Sequence, residues 1–429
     1  MKLPKLQPVD INKKTKKKIL LLSDDFRLPS GIGTISREII LKTVHHYDWV
    51  QLGAALNHPE HGKGQDVSQQ IQQETGIMDA DVKVIPWTGY GDRNVLFSIL
   101  NQEKPDAILH FTDPRYWGWL YALEHEIKTT YGIPIAYYSI WDDLPYPMWN
   151  APFYGSCDMI MGISKQSDNI HREVLKQNGF EVYDHDSKEK DNGGIITGYV
   201  PHGLDENVYT PLDRNKPEYR NMHKQIKEDN GADFVVFWNN RNARRKQSGT
   251  LLWWWSEWID KRNLSGKAQL IMHTNPYDAH GQNLNHIATE LGMTNREVVF
   301  STKKLALETI PLLYTSADCT INIADAEGFG LATLESLSCG TPIIVNMTGG
   351  LQEQIMGIDG PFGFPIYPTS KSIIGSQQVP YIYEDRISKE QVFSALDKMY
   401  ALSKEDRHEL GLNGSEHVKN NYNFEFFFF

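Results

Sequence analysis

The sequence predicts an α/β protein built from two doubly wound domains in tandem, and three observations carry that prediction. Short apolar runs rich in β-branched residues alternate with longer amphipathic runs from end to end. The alternation breaks once, at a polar stretch bearing prolines. At 429 residues the chain is also too long for one compact core. Near-continuous apolar strands separated by helices mean parallel sheets covered on both faces.

In chain order, the first half offers strands at 18–23 (KILLLS), 49–55 (WVQLGAA), 82–87 (VKVIPW), 107–111 (AILHF), 134–140 (PIAYYSI), 158–163 (DMIMGI) and 194–200 (GIITGYV). Between the first two, TISREIILKTVHHY places Ile35, Ile39, Ile40 and Val44 near a 3.6-residue period, which predicts a helix. The segment 184–194 (DHDSKEKDNGG) reads as a solvated loop. The break is HGLDENVYTPLDRNKPEYR, which puts a hinge near 202–215. Strands resume at 233–239, 268–274, 297–302, 319–324 and 342–346, and a polar helical stretch runs from Ser388 to about Tyr422. The expected domains are 1–205 and 206–400, with 401–429 a helix packing back toward the first. The terminal FEFFFF has no physical account.

Hydrophobic residues make up 40% and charged residues 23%, an ordinary soluble composition. Lys plus Arg number 43 against 54 Asp plus Glu, and the net charge of -11 disfavours wholesale nucleic-acid binding. Cys157, Cys319 and Cys339 show no metal spacing and read as buried reduced thiols. The opening KKTKKKILLLSDDF has only four apolar residues before the polar Ser23-Asp24-Asp25, too few for a signal peptide. No run approaches the roughly 20 apolar residues of a membrane span. The expectation is a cytoplasmic protein.

Doubly wound sheets bind ligands outside the carboxyl ends of their strands. The strand at 319–324 ends in Asp325-Ala326-Glu327, a Gly328-Phe329-Gly330 turn, and a helix from about Leu331. Glycines let a ligand approach the backbone, and a helix N-terminus favours an anion, so the place suits a phosphate. Glu327 then hangs at the strand tip beside whatever the phosphate carries. Glu335, about one turn into the helix, can accept hydrogen bonds from a vicinal diol such as a ribose; a solvated helix face is the plainer alternative. After the strand at 233–239 comes NRNARRK, with Arg241 and Lys246 at another strand end and Arg244 and Arg245 between them. Two fixed cations can hold a diphosphate and neutralise it as a leaving group without a metal. A basic surface loop is the bland alternative.

Taken together, these residues resemble the retaining nucleotide-sugar glycosyltransferases of the GT-B fold, glycosyltransferase family 4 or group 1. Arg241 and Lys246 match the family's Arg and Lys spacing, Glu327 and Glu335 its E-x7-E, and Gly328 to Gly330 its glycine turn. Cys339 to Ile344 echo its CGTPVV, and Gly349, Gly350 and Glu353 its GG-x-x-E. The interdomain PNGvD appears as Pro201-His202-Gly203-Leu204-Asp205, with His for Asn. The resemblance implies two Rossmann-like domains facing across a cleft and a nucleoside-diphosphate sugar, such as a UDP-sugar, as co-substrate. It implies that Glu327 faces the transferred sugar, that Glu335 holds the nucleotide ribose, and that the backbone at Phe329, Gly330 and Leu331 cradles phosphate. The implied reaction is attack of an acceptor hydroxyl on the anomeric carbon with retention, through an oxocarbenium-like transition state. No cofactor and no obligatory metal are expected. Two Asp-x-Asp triplets, Asp79-Ala80-Asp81 and Asp184-His185-Asp186, fall in polar loops.

On the acceptor side the pattern departs from the family. Gly31 and Gly33 open a helix after the first strand, like the family's glycine loop over the donor; a plain tight turn explains them equally. The family's vHvHxP run appears as ILHFTDP, so Thr112 stands where a histidine would be, followed by Asp113. Either or neither orients the hydroxyl; the first option makes Asp113 a catalytic candidate beside Glu327, Arg241 and Lys246. His110 reads as a satisfied core residue. Asp142 and Asp143 in SIWDDLP line the cleft or cap a helix. Trp117, Trp119, Tyr121 and Trp149 are acceptor platforms or helix core. LLWWWSEW at 251–258 covers every face of a helix, so at least one Trp must be exposed.

The wording of the chain, especially LLSDDFRLPSGIGTISREI, ILHFTDPRYW and WNNRNARR, is similar to glycosyltransferases of tailed bacteriophages, some of which modify hydroxymethylated pyrimidines in DNA. Lys13 to Lys18 and Arg241 to Lys246 are the residues that would contact DNA phosphates. A glycan, lipid or small-molecule acceptor is the alternative. From another class, a GT-B sugar-nucleotide epimerase or a non-catalytic sugar-nucleotide binder shares the fold and the donor.

Overall fold

The computed structural model describes residues 16–187, 193–229 and 231–422. The terminal Phe run, the middle of the loop at 184–194 and the lysines Lys13 and Lys14 lie outside the described residues. The chain divides into two compact units, Met1–Tyr138 with Pro152–Met159, and Ser139–Ala151 with Ile160–Phe429.

The first unit holds strands β1 (Lys17–Asp24), β2 (Tyr47–Ala54), β3 (Gln65–Asp66), β4 (Val82–Pro86), β5 (Ala107–Phe111) and β6 (Ile135–Ser139). They lie in the order β3-β4-β2-β1-β5-β6, parallel except for the short β3. Leu20, Leu21 and Leu22 are all fully buried, as a parallel sheet covered on both faces requires. The helix Gly31–Thr43 lays Ile35, Ile39 and Ile40 into the core, as their spacing predicts.

The second unit carries β7 (Met159–Gly162), β8 (Val182–Asp184) and β9 (Ile195–Tyr199). Its main sheet is built from β10 (Phe234–Asn239), β11 (Ala268–His273), β12 (Val298–Ser301), β13 (Cys319–Asn322) and β14 (Ile343–Asn346). The short pair β15 (Met356–Gly357) and β16 (Gly360–Pro361) precedes β17 (Gly363–Ile366), which completes that sheet. The order is β12-β11-β10-β13-β14-β17, every pairing parallel. A separate hairpin, β18 (Ser370–Ile374) and β19 (Ile382–Arg386), follows.

Every strand expected from apolar runs is present within a residue or two. The short strands β3, β8, β15 and β16, the edge strand β17 and the hairpin β18–β19 have no such run and escaped. The helix Ser248–Arg262 buries Trp255 and Trp258 completely and leaves Trp253 49% exposed, which meets the expectation for the tryptophan run. Those two rings, 5.3 Å apart, each bury about 150–250 Å², roughly 4–6 kcal/mol of gross stabilisation at the usual area coefficient. The expected terminal helix is two, Lys389–Ala401 and Lys404–Asn421. The break falls at Leu402, in extended backbone, and Ser403 caps the second helix. That second helix passes so close to the segment after Leu331–Ser338 that a Cβ on Gly411 would meet the Gly340 oxygen at 2.1 Å. All three cysteines are buried free thiols. Among the described residues, no helix is long and apolar enough to cross a membrane.

Candidate active site

The order of the second sheet reverses between β10 and β13: β11 and β12 lie to one side, β14 and β17 to the other. Such a switch point opens a crevice at the carboxyl ends of its two strands. The loops leaving those ends are the two singled out from sequence. After β13 the chain reaches Glu327, then the glycine turn, then the helix Leu331–Ser338. Gly330 sits at φ 92°, a conformation that favours glycine, and caps that helix. Gly349 and Gly350, after β14, pack on the same turn. The Gly350 N–H donates to the Glu327 carbonyl at 3.1 Å, and a Cβ on Gly349 would lie 1.8 Å from that oxygen. The glycine pair in the echo of GG-x-x-E thus has a steric cause.

After β10 the chain makes a 3-10 turn at Arg244–Lys246. That turn carries Lys246 to Glu327, where the ammonium and carboxylate form a buried ion pair, the lysine 7% and the glutamate 8% exposed. Arg245 stands 3.8 Å from the same carboxylate and also donates to the Ala326 carbonyl. Burial works against a charge on Glu327, but Lys246, Arg245 and hydrogen bonds from Lys246 and Asn322 outweigh it, so the carboxyl stays below its ordinary range. Burial and the neighbouring Arg245 bring Lys246 down to about 8, against the pull of Glu327. The pair is ionised at neutral pH.

Arg241 behaves differently. Its side chain is 61% exposed and forms a two-pronged pair with Asp278, at 2.7 and 3.1 Å. The structure therefore brings Lys246 to Glu327, with Arg245 as its companion and Arg241 engaged elsewhere. Arg245 had only its place in a cationic run to mark it. Which arginine faces inward depends on the 3-10 turn, which spacing does not reveal.

Glu335 is half-buried and does not lie on a solvated helix face. Tyr314 donates to it at 2.7 Å, and Asn239, at the end of β10, reaches both Tyr314 (2.9 Å) and Glu335 (3.5 Å). Burial raises its carboxyl to about 7, opposed by hydrogen bonds from Tyr314 and Tyr209. The two carboxylates of the E-x7-E motif thus sit in opposite electrostatic settings, one held ionised by cations and one balanced near neutrality.

A further layer went unseen in the sequence. Glu384, only 1% exposed, accepts two bonds from Arg244 (2.9 and 2.5 Å) and one from Arg386 (2.8 Å). Arg386 and Gln247 both bond Asp325, and the Asp325 N–H donates to the Arg245 carbonyl at 2.8 Å. The hairpin β18–β19 therefore ties the Arg244–Lys246 turn to the β13 tip. No apolar run or motif announces it.

Asp142 and Asp143 also belong to the second unit. Asp142 lies 3.8 Å from Arg245 and beside Gly328, and burial raises its carboxyl against the pull of Arg245. Burial, with Asp142 adding to it, carries Asp143 up to about 8. Neither caps a helix.

The other candidates are in the first unit. Ser30 caps the helix that Gly31 opens, accepting from the Gly33 N–H at 3.1 Å, and a Cβ on Gly33 would meet the Leu28 oxygen at 2.4 Å. Thr112 is buried, its carbonyl accepting from Tyr137 at 3.2 Å. Asp113 caps the short turn after β5 and chelates Arg115 at 2.5–3.0 Å. His110 is fully buried with its Nδ1 2.6 Å from the Tyr121 hydroxyl, the expected core role. Trp117 corrects an expectation. It is fully buried, with His110 at 5.3 Å and Trp119 at 5.6 Å, and so offers no face to an acceptor. Its indole fills a core that the aromatic run closes on itself.

Among the described residues, Asp184, His185 and Asp186 are the group whose ligand atoms lie close enough for a metal ion. Arg172 already bonds Asp184 at 2.7 Å and supplies the local positive charge.

This architecture is a two-domain α/β fold of the GT-B type, with the candidate site at the switch point of the second sheet. Residues 279–371 match the family described as glycosyl transferases group 1, and that segment includes Glu327, the glycine turn, Glu335 and Gly349-Gly350. Lys246 and Arg245 lie outside it. Among curated proteins, the D-inositol 3-phosphate glycosyltransferase of Mycolicibacterium vanbaalenii is 35% identical over 79 residues, 18% of this chain and 17% of that protein. The alpha-1,3/1,6-mannosyltransferase ALG2 of Dictyostelium discoideum is 25% identical over 223 residues, 49% of this chain and 47% of that protein. The chain thus spans less than half the length of these curated relatives. Among solved structures, sucrose-phosphate synthase of Thermosynechococcus elongatus superposes with a TM-score of 0.66 at 16% identity, covering 96% of both chains. Anabaena HepE in complex with UDP and glucose gives 0.65 at 14% identity, covering 95% of this chain and 96% of that one. At such identities the likeness is one of fold.

Proposed function

We propose that the protein is a retaining glycosyltransferase, moving a sugar from a nucleoside-diphosphate sugar to an acceptor hydroxyl. The observation that carries this reading is the buried Lys246–Glu327 pair beside the glycine turn, with Arg245 at 3.8 Å. Two cations and a helix N-terminus offer a diphosphate three positive partners, and the carboxylates Glu327 and Glu335 stand on either side for the two sugars of one donor. The acceptor oxygen bonds to the anomeric carbon on the face the diphosphate leaves, as that bond breaks through an oxocarbenium-like transition state, so the configuration is kept. The hydroxyl proton passes to the departing diphosphate. The nucleoside diphosphate leaves with the electron pair, and Lys246 and Arg245 take up its charge. Arg241 is the third cation proposed for the donor, Gly31 and Gly33 the loop over it, and Thr112, Asp113, Asp142 and Asp143 the acceptor side. The fixed cations do what a divalent ion does in Asp-x-Asp enzymes, so no metal is required on this reading.

For the acceptor we favour a sugar, polyol or sugar phosphate over DNA. HepE, a solved neighbour with UDP and glucose bound, supports the UDP-sugar donor, and the D-inositol 3-phosphate glycosyltransferase supports a small acceptor. Among the described residues, the N-terminal lysines expected on DNA are paired instead: Lys16 with Asp79 (3.2 Å), Lys17 with Asp106 (2.6 Å) and Lys18 with Glu103 (3.6 Å).

The test is release of nucleoside diphosphate from UDP-, GDP- and ADP-sugars in EDTA, with sugar phosphates, inositol or 5-hydroxymethylcytosine DNA as acceptor. Acceptor-stimulated release that survives EDTA, with the anomeric configuration kept in the product, is the expected result. Tight donor binding without any release would overturn the reading in favour of a binder, and an epimerised donor sugar would make it an epimerase.

A further inference from the structure

A charged cavity lies at the end of the main sheet of the second unit opposite the candidate active site. It has a volume of about 70 Å³ and is bounded by the segments that enter β13 and β14, at Thr315–Asp318 and Gly340–Pro342. The candidate active site lies instead where the chain leaves β10 and β13. Into this cavity face Arg214, His223, Lys227, Lys404, Arg407 and His408, and the one carboxylate in its lining is Asp318. In a chain of net charge -11, that is a local reversal of sign.

Asp318 is already saturated. It takes Lys227 at 2.7 Å and Arg407 at 3.2 Å and accepts from the Val235 N–H at 2.7 Å. Arg407 is further tied to the Met399, Tyr400 and Leu402 carbonyls. These two cations are structural. Arg214 and Lys404 are exposed, and among the described residues neither forms an ion pair with a carboxylate. Arg214 donates instead to His408 Nδ1 at 2.8 Å. A neutral imidazole that accepts at Nδ1 carries its proton on Nε2, so His408 becomes one more donor. His223 has Glu228 at 3.8 Å, yet burial first, then Lys227, hold it below its usual range. The hydroxyls of Thr315 and Ser316, both buried, make no hydrogen bond in this lining.

We propose that this cavity is a phosphate site, taking inorganic phosphate or the phosphate group of a small monoester, separate from the donor site. One water needs about 10–15 Å³ by this measure of volume, so 70 Å³ accommodates an ion of five heavy atoms. Arg214, Lys404 and His408 supply donors at its mouth, and Lys227 and Arg407 supply the positive field behind.

The experiment is calorimetric titration of the full chain at fixed ionic strength with inorganic phosphate and, separately, glucose 6-phosphate. The proteins compared are the wild type, the double variant Arg214→Gln with Lys404→Gln, and Lys246→Met with Glu327→Gln as the donor-site control. One phosphate per chain is expected, weakened at least tenfold in the first double variant and unchanged in the donor-site control. Arg214 and Lys404 are exposed, so the variant that replaces them should melt like the wild type. Glucose 6-phosphate bound no more tightly than phosphate makes the ion itself the ligand, and tighter binding of glucose 6-phosphate makes it a monoester; either supports the site. No binding by the wild type, or undiminished binding after Arg214→Gln with Lys404→Gln, would overturn it.

Discussion

Each unit has a switch point in its sheet, between β1 and β5 in the first and between β10 and β13 in the second. The loops leaving those strands handle charge in different ways. In the first unit the carboxylates are satisfied two residues away, Asp25 by Arg27 at 2.6–2.8 Å and Asp113 by Arg115 at 2.5–3.0 Å. In the second, Glu327 finds Lys246 from 81 positions away, and Glu384 finds Arg244 from 140. A local Asp-x-Arg chelate forms with little ordering of the chain and does not depend on the fold around it. A buried pair assembled at long range must repay the desolvation of both ions and persists only where the whole fold holds it. The second unit thus carries the preorganised charge, and in the first Asp25 and Asp113 are each paired within their own loop.

The largest expected effect breaks the long-range pair. Lys246→Ala leaves Glu327 ionised and buried without its partner, which should cost about 3–5 kcal/mol in urea unfolding. It should also lower kcat/KM about 10²–10³-fold, the range seen when one preorganised group facing a developing charge is removed. The double variant Lys246→Met with Glu327→Gln removes both charges and should regain most of the stability while staying inactive. Recovery of activity with stability would mean that the pair is only structural.

Next comes the hairpin. Glu384→Gln keeps the shape but removes the charge that holds Arg244 and Arg386. The donor KM should rise about tenfold, the worth of one charged hydrogen bond, with kcat within a factor of about three. An unchanged KM together with a lower unfolding midpoint would reduce the hairpin to a stabilising strut.

The third effect is a pH profile. Burial raises Glu335 from 4.5 to about 7 in the folded chain, so the native state holds that proton more tightly than the unfolded state does. Its contribution to stability therefore falls as pH rises from about 4.5 through about 7, because the native carboxyl must then ionise in a partly desolvated site. Ligand binding runs the other way. The ionised carboxylate is the stronger acceptor for a ribose diol, so the donor KM should fall as pH rises through 7. Glu335→Gln should flatten that profile; a profile of the same slope in the variant would assign the titration to another group.

Much of the fold was legible because the twelve strands read from sequence are apolar runs, most of them largely buried, a pattern that survives without any knowledge of neighbours. The strands that escaped have different physics. β17 runs Gly-Phe-Pro-Ile at a sheet edge, and β18 and β19 carry polar residues that pair within the hairpin or, from β19, with other loops. At the site, the glycine turn and E-x7-E were legible because steric need and spacing are local properties. Arg245, Glu384 and Arg386 were not, because their roles come from which side a 3-10 turn faces and where a hairpin lands. Trp117 failed in the opposite sense, since an aromatic run looks the same whether it faces a ligand or fills a core.

The smallest expected effect sharpens the contrast within one loop. Arg241 and Lys246 are five positions apart and were matched to the donor together, yet one is exposed and paired with Asp278 while the other is buried on Glu327. Solvent screens an exposed pair, so Arg241→Gln should change stability by less than about 1 kcal/mol. Its kcat/KM should fall less than about tenfold, because Asp278 and water already share that guanidinium and only the part turned to a diphosphate is lost. A loss equal to that of Lys246→Ala would mean that Arg241 leaves Asp278 for the donor. Burial would then no longer be the mark of the residues that carry the charge of the leaving group.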